Sequence, residues 1–228
     1  MPFISIDNIR CFYREEQPEG KDAPVILCIH GSGGDSSVWE KQGHGLGKFF
    51  RLLIPDMPGH GSTGGHACTS VADYSRWVHG FSGALGLSRF FLMGHSLGGM
   101  VAQEYARLNS DRVAGLVLVS TAGSIALAPD YMQVLKNDFQ RAVRMSCDNA
   151  YAPGVAQDLY RRGYDMVLRN GQEAYCNDLL ACQGFDSSSW VGALALPALV
   201  ICGRHDTITL PSCSRFLHEA IRGSELQV

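Results

Sequence analysis

The stretch FFLMGHSLGGMVAQEYA (90–106) limits what this chain can fold into more than any other. Its first residues are apolar and read as a buried strand, while LGGMVAQEYARL (97–108) carries its apolar residues at helical spacing. The chain must therefore pass from strand to helix in a sharp turn around Ser96. A turn this tight forces its central residue into a strained backbone conformation. Side chains two positions before or after would collide, which accounts for Gly94 and Gly98. The Ser96 hydroxyl is thereby pushed out at the carboxyl end of a sheet, above a helix N-terminus whose dipole favours negative charge. A glycine-rich turn that only packs a helix on a strand shares the G-x-S-x-G spelling; the abrupt strand-to-helix setting favours the chemical reading.

The rest of the chain supplies the sheet. Strand signals lie at 3–6 and 10–14, split by the turn pair Asp7-Asn8, and, past the polar stretch EEQPEGKDAP, at 25–30, 51–56, 90–94, 113–120 and 197–203. Between them, 39–50, 71–85, 97–108 and 210–221 read as helices, the first weakened by three glycines, the second capped by Thr69 or Ser70. Nearly continuous apolar strands alternating with helices predict an α/β fold, a mostly parallel sheet with helices on both faces. From 124 to 190 the strand pattern stops and helical windows appear near 130–145, 154–169 and 171–182. The expected division is a core of residues 1–123, a helical cap insertion of 124–190 over one sheet edge, and the returning core of 191–228.

Four motifs then stand in order: His30-Gly31-Ser32-Gly33-Gly34 with Trp39 a few residues on, Asp56-Met57-Pro58-Gly59-His60-Gly61-Ser62, the turn at Ser96, and Gly203-Arg204-His205-Asp206. Together they resemble the α/β-hydrolase superfamily, in its serine esterase and lactonase branch with a helical cap. The resemblance implies that Ser96 attacks a carbonyl and that Asp206 orients a histidine. It also implies that the oxyanion is held by the backbone N–H of Leu97 and a loop N–H at Ser32 or, second, Gly33. An alternative for Asp206 is to cap the following helix. His30 and His60 read as imidazoles that fix their own loops, with His30 also a candidate substrate contact, and His95 reads as shaping the pocket. Met132, Phe139, Tyr151, Tyr160, Tyr164 and Met166 could line an apolar acyl pocket or form plain cap core; Met132 and Tyr160 are the substrate-contact candidates.

One part of the pattern is not found in the 228 residues. In the superfamily the general base is a histidine some 25–30 residues after the acid, which falls past Val228. The closing ELQV reads as a last strand just begun, so these residues are expected to be part of a longer enzyme of about 255–265 residues. The 228 residues alone should then be nearly inactive, and the strand at 197–203 should present an unpaired edge. His44, His66 and His79 precede the turn with no motif directing them to Ser96, His205 adjoins Asp206 so that its side chain should diverge from it, and His218 sits on the helix beyond that loop.

Composition narrows the partners. A net charge of −3 gives no reason to expect nucleic acid or an anionic membrane, and no apolar run reaches the length of a membrane span. The opening MPFISIDNIRCFYREEQ lacks the basic flank and apolar stretch expected of a signal peptide. Its eight cysteines, among them Cys28 and Cys202 inside apolar runs, show neither a disulfide framework nor zinc spacing, which makes the cytoplasm the default. No cofactor or metal is implied, and oligomeric state is not legible. The expected activity is hydrolysis of small, mostly uncharged carboxylic esters or lactones through an acyl-enzyme. A serine in place of aspartate argues against epoxide hydrolases and haloalkane dehalogenases. Cofactor-free C–C bond hydrolases, haloperoxidase-like members and a non-catalytic ligand-binding homologue remain alternatives.

Overall fold

The computed structural model describes residues 2–19 and 22–228. The middle of the polar stretch before the third strand, Gly20-Lys21, lies outside them. Strand β1 (Phe3–Ile6) turns back into β2 (Ile9–Glu16) through Asp7 and Asn8, both at positive φ (50° and 66°), as a two-residue hairpin of matching twist requires. Then follow β3 (Val25–Ile29), α1 (Glu40–Leu46), β4 (Arg51–Pro55), α2 (Val71–Ala84), β5 (Phe90–His95), α3 (Leu97–Leu108) and β6 (Val113–Val119). Three helices, α4 (Tyr131–Asn137), α5 (Phe139–Ala150) and α6 (Gln157–Gln183), separate β6 from β7 (Ala198–Ile201). Helix α7 (Pro211–Ala220) and β8 (Glu225–Gln227) complete the order.

The eight strands form one sheet in the order β1-β2-β4-β3-β5-β6-β7-β8. The pairs β1–β2 and β2–β4 are antiparallel and all others parallel. Alternation along the strands divides the core. Leu27, Ile29 and Leu53 join one cluster with Tyr74, Val78 and Phe81 of α2 and Met100 and Tyr105 of α3. Ile26, Cys28, Leu52 and Ile54 face the other way, against Trp39 and, more loosely, Leu46. On that second face Phe91, Val117, Val119, Leu199 and Ile201 are only half-buried. All eight cysteines are unpaired.

Three readings of the sequence need correction. Strand β2 runs to Glu16, not Arg14, because Tyr13 to Glu16 pair with Pro55 to Leu52 of β4, a register no local pattern reveals. The helix read over 39–50 is confined to α1; Trp39 belongs to a 3₁₀ turn (Ser36–Trp39), and the chain leaves the helix at Gly47. The edge of β7 is also not bare, since Leu199, Val200 and Ile201 pair with the three residues of β8.

Candidate active site

Ser96 sits between the end of β5 and the start of α3 at φ 53°, ψ −118°, a conformation that costs an L-residue on the order of 1–3 kcal/mol. Its backbone is pinned on both sides. The N–H donates to Val119 O (3.0 Å), and the carbonyl accepts from Thr121 Oγ1 (2.7 Å) and Gly99 N (2.9 Å). The two glycines are spatial necessities. A Cβ on Gly94 would run into the Gly98 carbonyl and lie 2.5 Å from Gly99 N; one on Gly98 would lie 2.6 Å from His30 O. The glycines thus close the turn upon itself and seat α3 against the end of β3.

That contact brings the loop after β3 to the serine. A Cβ on Gly31 would be 3.1 Å from Ser96 Cβ and 2.8 Å from His95 Nδ1. The loop turns back at once: Gly34 N–H donates to Gly31 O (3.0 Å), with Gly33 at φ 65°, the sign a type II turn needs at its third position. Of the two loop donors considered from sequence, Gly33 N–H is already spent on Asp178 Oδ2 (2.7 Å). Among the described residues neither Ser32 N–H nor Leu97 N–H donates to any protein acceptor, so both remain free to donate. The Ser32 hydroxyl lies 3.6 Å from Cys182 Sγ.

The histidines of the two loop motifs are locked in place. His30 is fully buried; Nδ1 donates to Gly31 O (2.9 Å) and Nε2 accepts from Met57 N–H (2.9 Å). Both ring nitrogens are thus satisfied by backbone, with nothing left for a substrate, and burial brings its pKa down to about 4. His60, also buried, faces acceptors on both sides, Pro58 O (2.9 Å) and Asp178 Oδ2 (3.0 Å), so both nitrogens donate. Burial, the largest single influence, works to lower its pKa, but the Asp178 carboxylate, joined by Pro58 O and the Asp56 charge, raises it overall. Asp56 ties the two motifs, accepting from Ser36 N–H (2.7 Å) and Ser62 N–H (2.8 Å).

Asp206 lies five residues beyond the end of β7, two strands away from β5 in the sheet. Oδ1 accepts from the backbone of Ile208 (3.0 Å) and Thr209 (2.9 Å), and Oδ2 from Thr209 Oγ1 (2.9 Å). The carboxylate therefore organises the loop before α7 instead of capping that helix, whose N-cap is Leu210. His95 lies against Gly31; burial lowers its pKa, and the Asp206 charge acts the other way. Among the described residues no histidine hydrogen-bonds Ser96 or Asp206.

The two substrate contacts suggested from the helical stretch lie within it. Met132 packs in a cluster with Leu135, Ala142, Tyr175 and Leu179. Tyr160 donates to Asp148 Oδ1 (2.8 Å) and its ring lies 5.7 Å from that of Tyr151. The residues that do reach the loop after β3 were not singled out from sequence. Asp178 of α6 is fully buried and, besides Gly33 and His60, accepts from the Tyr74 hydroxyl. Asn170 donates to Gly33 O and Gly34 O (2.8 Å each) and accepts from Gly61 N–H (2.8 Å). One signal was available: an aspartate on the buried stripe Ala174, Tyr175, Asp178, Leu179, Cys182 has to find partners.

The profile of the family described as the alpha/beta hydrolase fold matches residues 24–146. RutD of Cronobacter turicensis, provisionally named a carbamate hydrolase, is 29% identical over 224 residues, spanning 90% of this chain and 82% of RutD. Among solved structures, the enol-lactonase of Burkholderia xenovorans LB400 superposes with a TM-score of 0.92 at 23% identity, covering all of this chain and 91% of its own. A thermophilic esterase gives 0.85 at 27% identity, covering all of this chain and 86% of its own.

Proposed function

This chain belongs to the alpha/beta hydrolase fold family, and from that premise we propose that it is a serine hydrolase of small esters or lactones, working through an acyl-enzyme that water resolves. The observation that carries this reading is the placement of Ser96: strained, at the N-terminus of α3, against Gly31, with the Leu97 and Ser32 N–H groups uncommitted beside it. Attack by Ser96 Oγ on a carbonyl carbon would put negative charge on the carbonyl oxygen. Two backbone donors and a helix N-terminus suit that charge, each donor being worth on the order of 3 kcal/mol in the transition state. Collapse of the tetrahedral species would expel the alcohol and leave the acyl group on Ser96, to be released by water. A carbamate carbonyl is open to the same attack, which keeps the chemistry named for RutD within reach. The helices α4 to α6 are proposed as the cap that covers this site and selects its substrate.

A serine hydroxyl needs a base to take its proton. As the family resemblance implies, we assign that role to a histidine oriented by Asp206. Among the described residues no helix is long and apolar enough to cross a membrane. The test is the intact mass of the native protein before and after a fluorophosphonate, which tags activated serines. One adduct, on Ser96, is expected. A protein left untagged would overturn the catalytic reading in favour of ligand binding.

A further inference from the structure

Helix α6 reaches across to both loops of the site, and it does so with two polar residues on either side of a break. At Gly171 the backbone takes φ 89°, ψ 164°, a region essentially restricted to glycine, and no atom would obstruct a Cβ there. The break is thus a requirement of chain direction, not of space. It turns Asn170 toward Gly33, Gly34 and Gly61, and lets Asp178, two turns further on, come to rest buried beneath Gly33, His60 and Tyr74.

We infer that Asp178 and Asn170 are positioning residues for the oxyanion site: together they hold Gly33 by its N–H and its carbonyl, fixing the loop so that, of the loop's own donors, only Ser32 N–H joins Leu97 N–H at the carbonyl under attack. This rests on the serine-hydrolase reading above. The grip is a matter of donors and acceptors. Asp178 supplies an acceptor to three donors from three separate segments, and a carboxylate is the one side chain of this size with no donor of its own to misdirect them. Asn170 supplies both kinds of group, donating to the loop carbonyls and accepting from the glycine after His60. Gly33 N–H belongs to the 32–33 peptide and Gly33 O to the 33–34 peptide, so each of the two peptides flanking the Gly33 Cα is held against rotation by one of these bonds. Rotation would bring Gly33 N–H into the site or carry Ser32 N–H out of it. The second donor is therefore set by α6, although α6 contributes no atom to the reaction.

The test uses the native protein with the substitutions Asp178→Asn and Asn170→Ala. Asparagine keeps the shape of Asp178 but places a donor opposite one of its three partners; Asn170 is half-exposed, so its removal spares the core should Asp178→Asn fail to fold. The Gly33 amide proton is expected far downfield, as a short bond to a carboxylate makes it, and to move upfield in Asp178→Asn. The kcat for a p-nitrophenyl ester is expected to fall about 100-fold in Asp178→Asn and about 10-fold in Asn170→Ala, with KM within threefold, because a misplaced oxyanion donor acts on the transition state. An unmoved Gly33 amide in folded Asp178→Asn would overturn the clamp. Unchanged kcat in both variants, where Ser96→Ala abolishes turnover, would overturn its role in positioning. Turnover that survives in Ser96→Ala would instead refute the hydrolase reading, and the positioning role with it, while the Gly33 shift still reports on the clamp.

Discussion

Substituting Gly98 by alanine sets two effects of known size against each other. Gly98 lies in the first turn of α3, where propensity alone says alanine should stabilise by about 1 kcal/mol. The structure opposes it. The new methyl would stand 2.6 Å from His30 O, 2.8 Å from Ile29 C and closer still to Ile29 O, against a closest ordinary approach of 3.0 Å. The obstructing atoms are backbone at the end of a central strand, so no side chain can swing aside and α3 itself must back away. Overpacking of this kind costs about 1–3 kcal/mol, and rigid backbone places it at the upper end. The net expectation is a loss of about 2 kcal/mol, which for a chain of this length lowers Tm by roughly 4–8 °C. The matched control is Gly45→Ala in α1, where no atom lies within 4 Å; it should stabilise by about 0.5–1 kcal/mol. Urea unfolding of both variants measures the two signs. Because the displaced α3 carries Leu97 away from the loop at Ser32, Gly98→Ala should also lose turnover. A Gly98→Ala protein as stable as the parent would refute the close seating of α3 on β3.

Ser96→Gly should abolish turnover yet raise the unfolding free energy by about 1 kcal/mol in the same assay, since glycine relieves the strain at φ 53° at the cost of extra chain entropy. A destabilised Ser96→Gly would mean that the strain is not real. His30, with a folded pKa of about 4 against about 6.5 in the unfolded chain, makes the unfolded state bind protons first as pH falls. Its contribution is full above pH 6.5 and declines by up to about 3 kcal/mol toward pH 4. His60 acts oppositely: with its pKa raised, its contribution is present at low pH and fades as pH climbs through the folded value. NMR titration should find the His30 ring neutral down to about pH 5, and a midpoint near 6.5 would contradict its burial.

What was legible in the sequence was what neighbouring residues decide. The turn at Ser96, the hairpin at Asp7-Asn8 and the limits of α3 each follow from residues within a few positions of one another. Even the break in α6 shows as an interruption between two helical windows. The grip on the loop after β3 was not legible, because Asp178 meets partners at 33, 60 and 74, more than one hundred residues away. Its capture of Gly33 N–H is also what separates Ser32 from Gly33 as a donor, a choice the motif leaves open. Met132 and Tyr160 illustrate the reverse: helical spacing identifies a buried stripe but not which side of a three-helix layer it faces.

The central claim is that Ser96 carries an acyl group during turnover. Native protein mixed with a p-nitrophenyl ester and quenched in acid within milliseconds can be weighed intact and then digested. A mass increase of one acyl group is expected, located on the peptide containing Ser96 and absent from Ser96→Ala. Turnover without any acylated protein, or an acyl group on another residue, would contradict it.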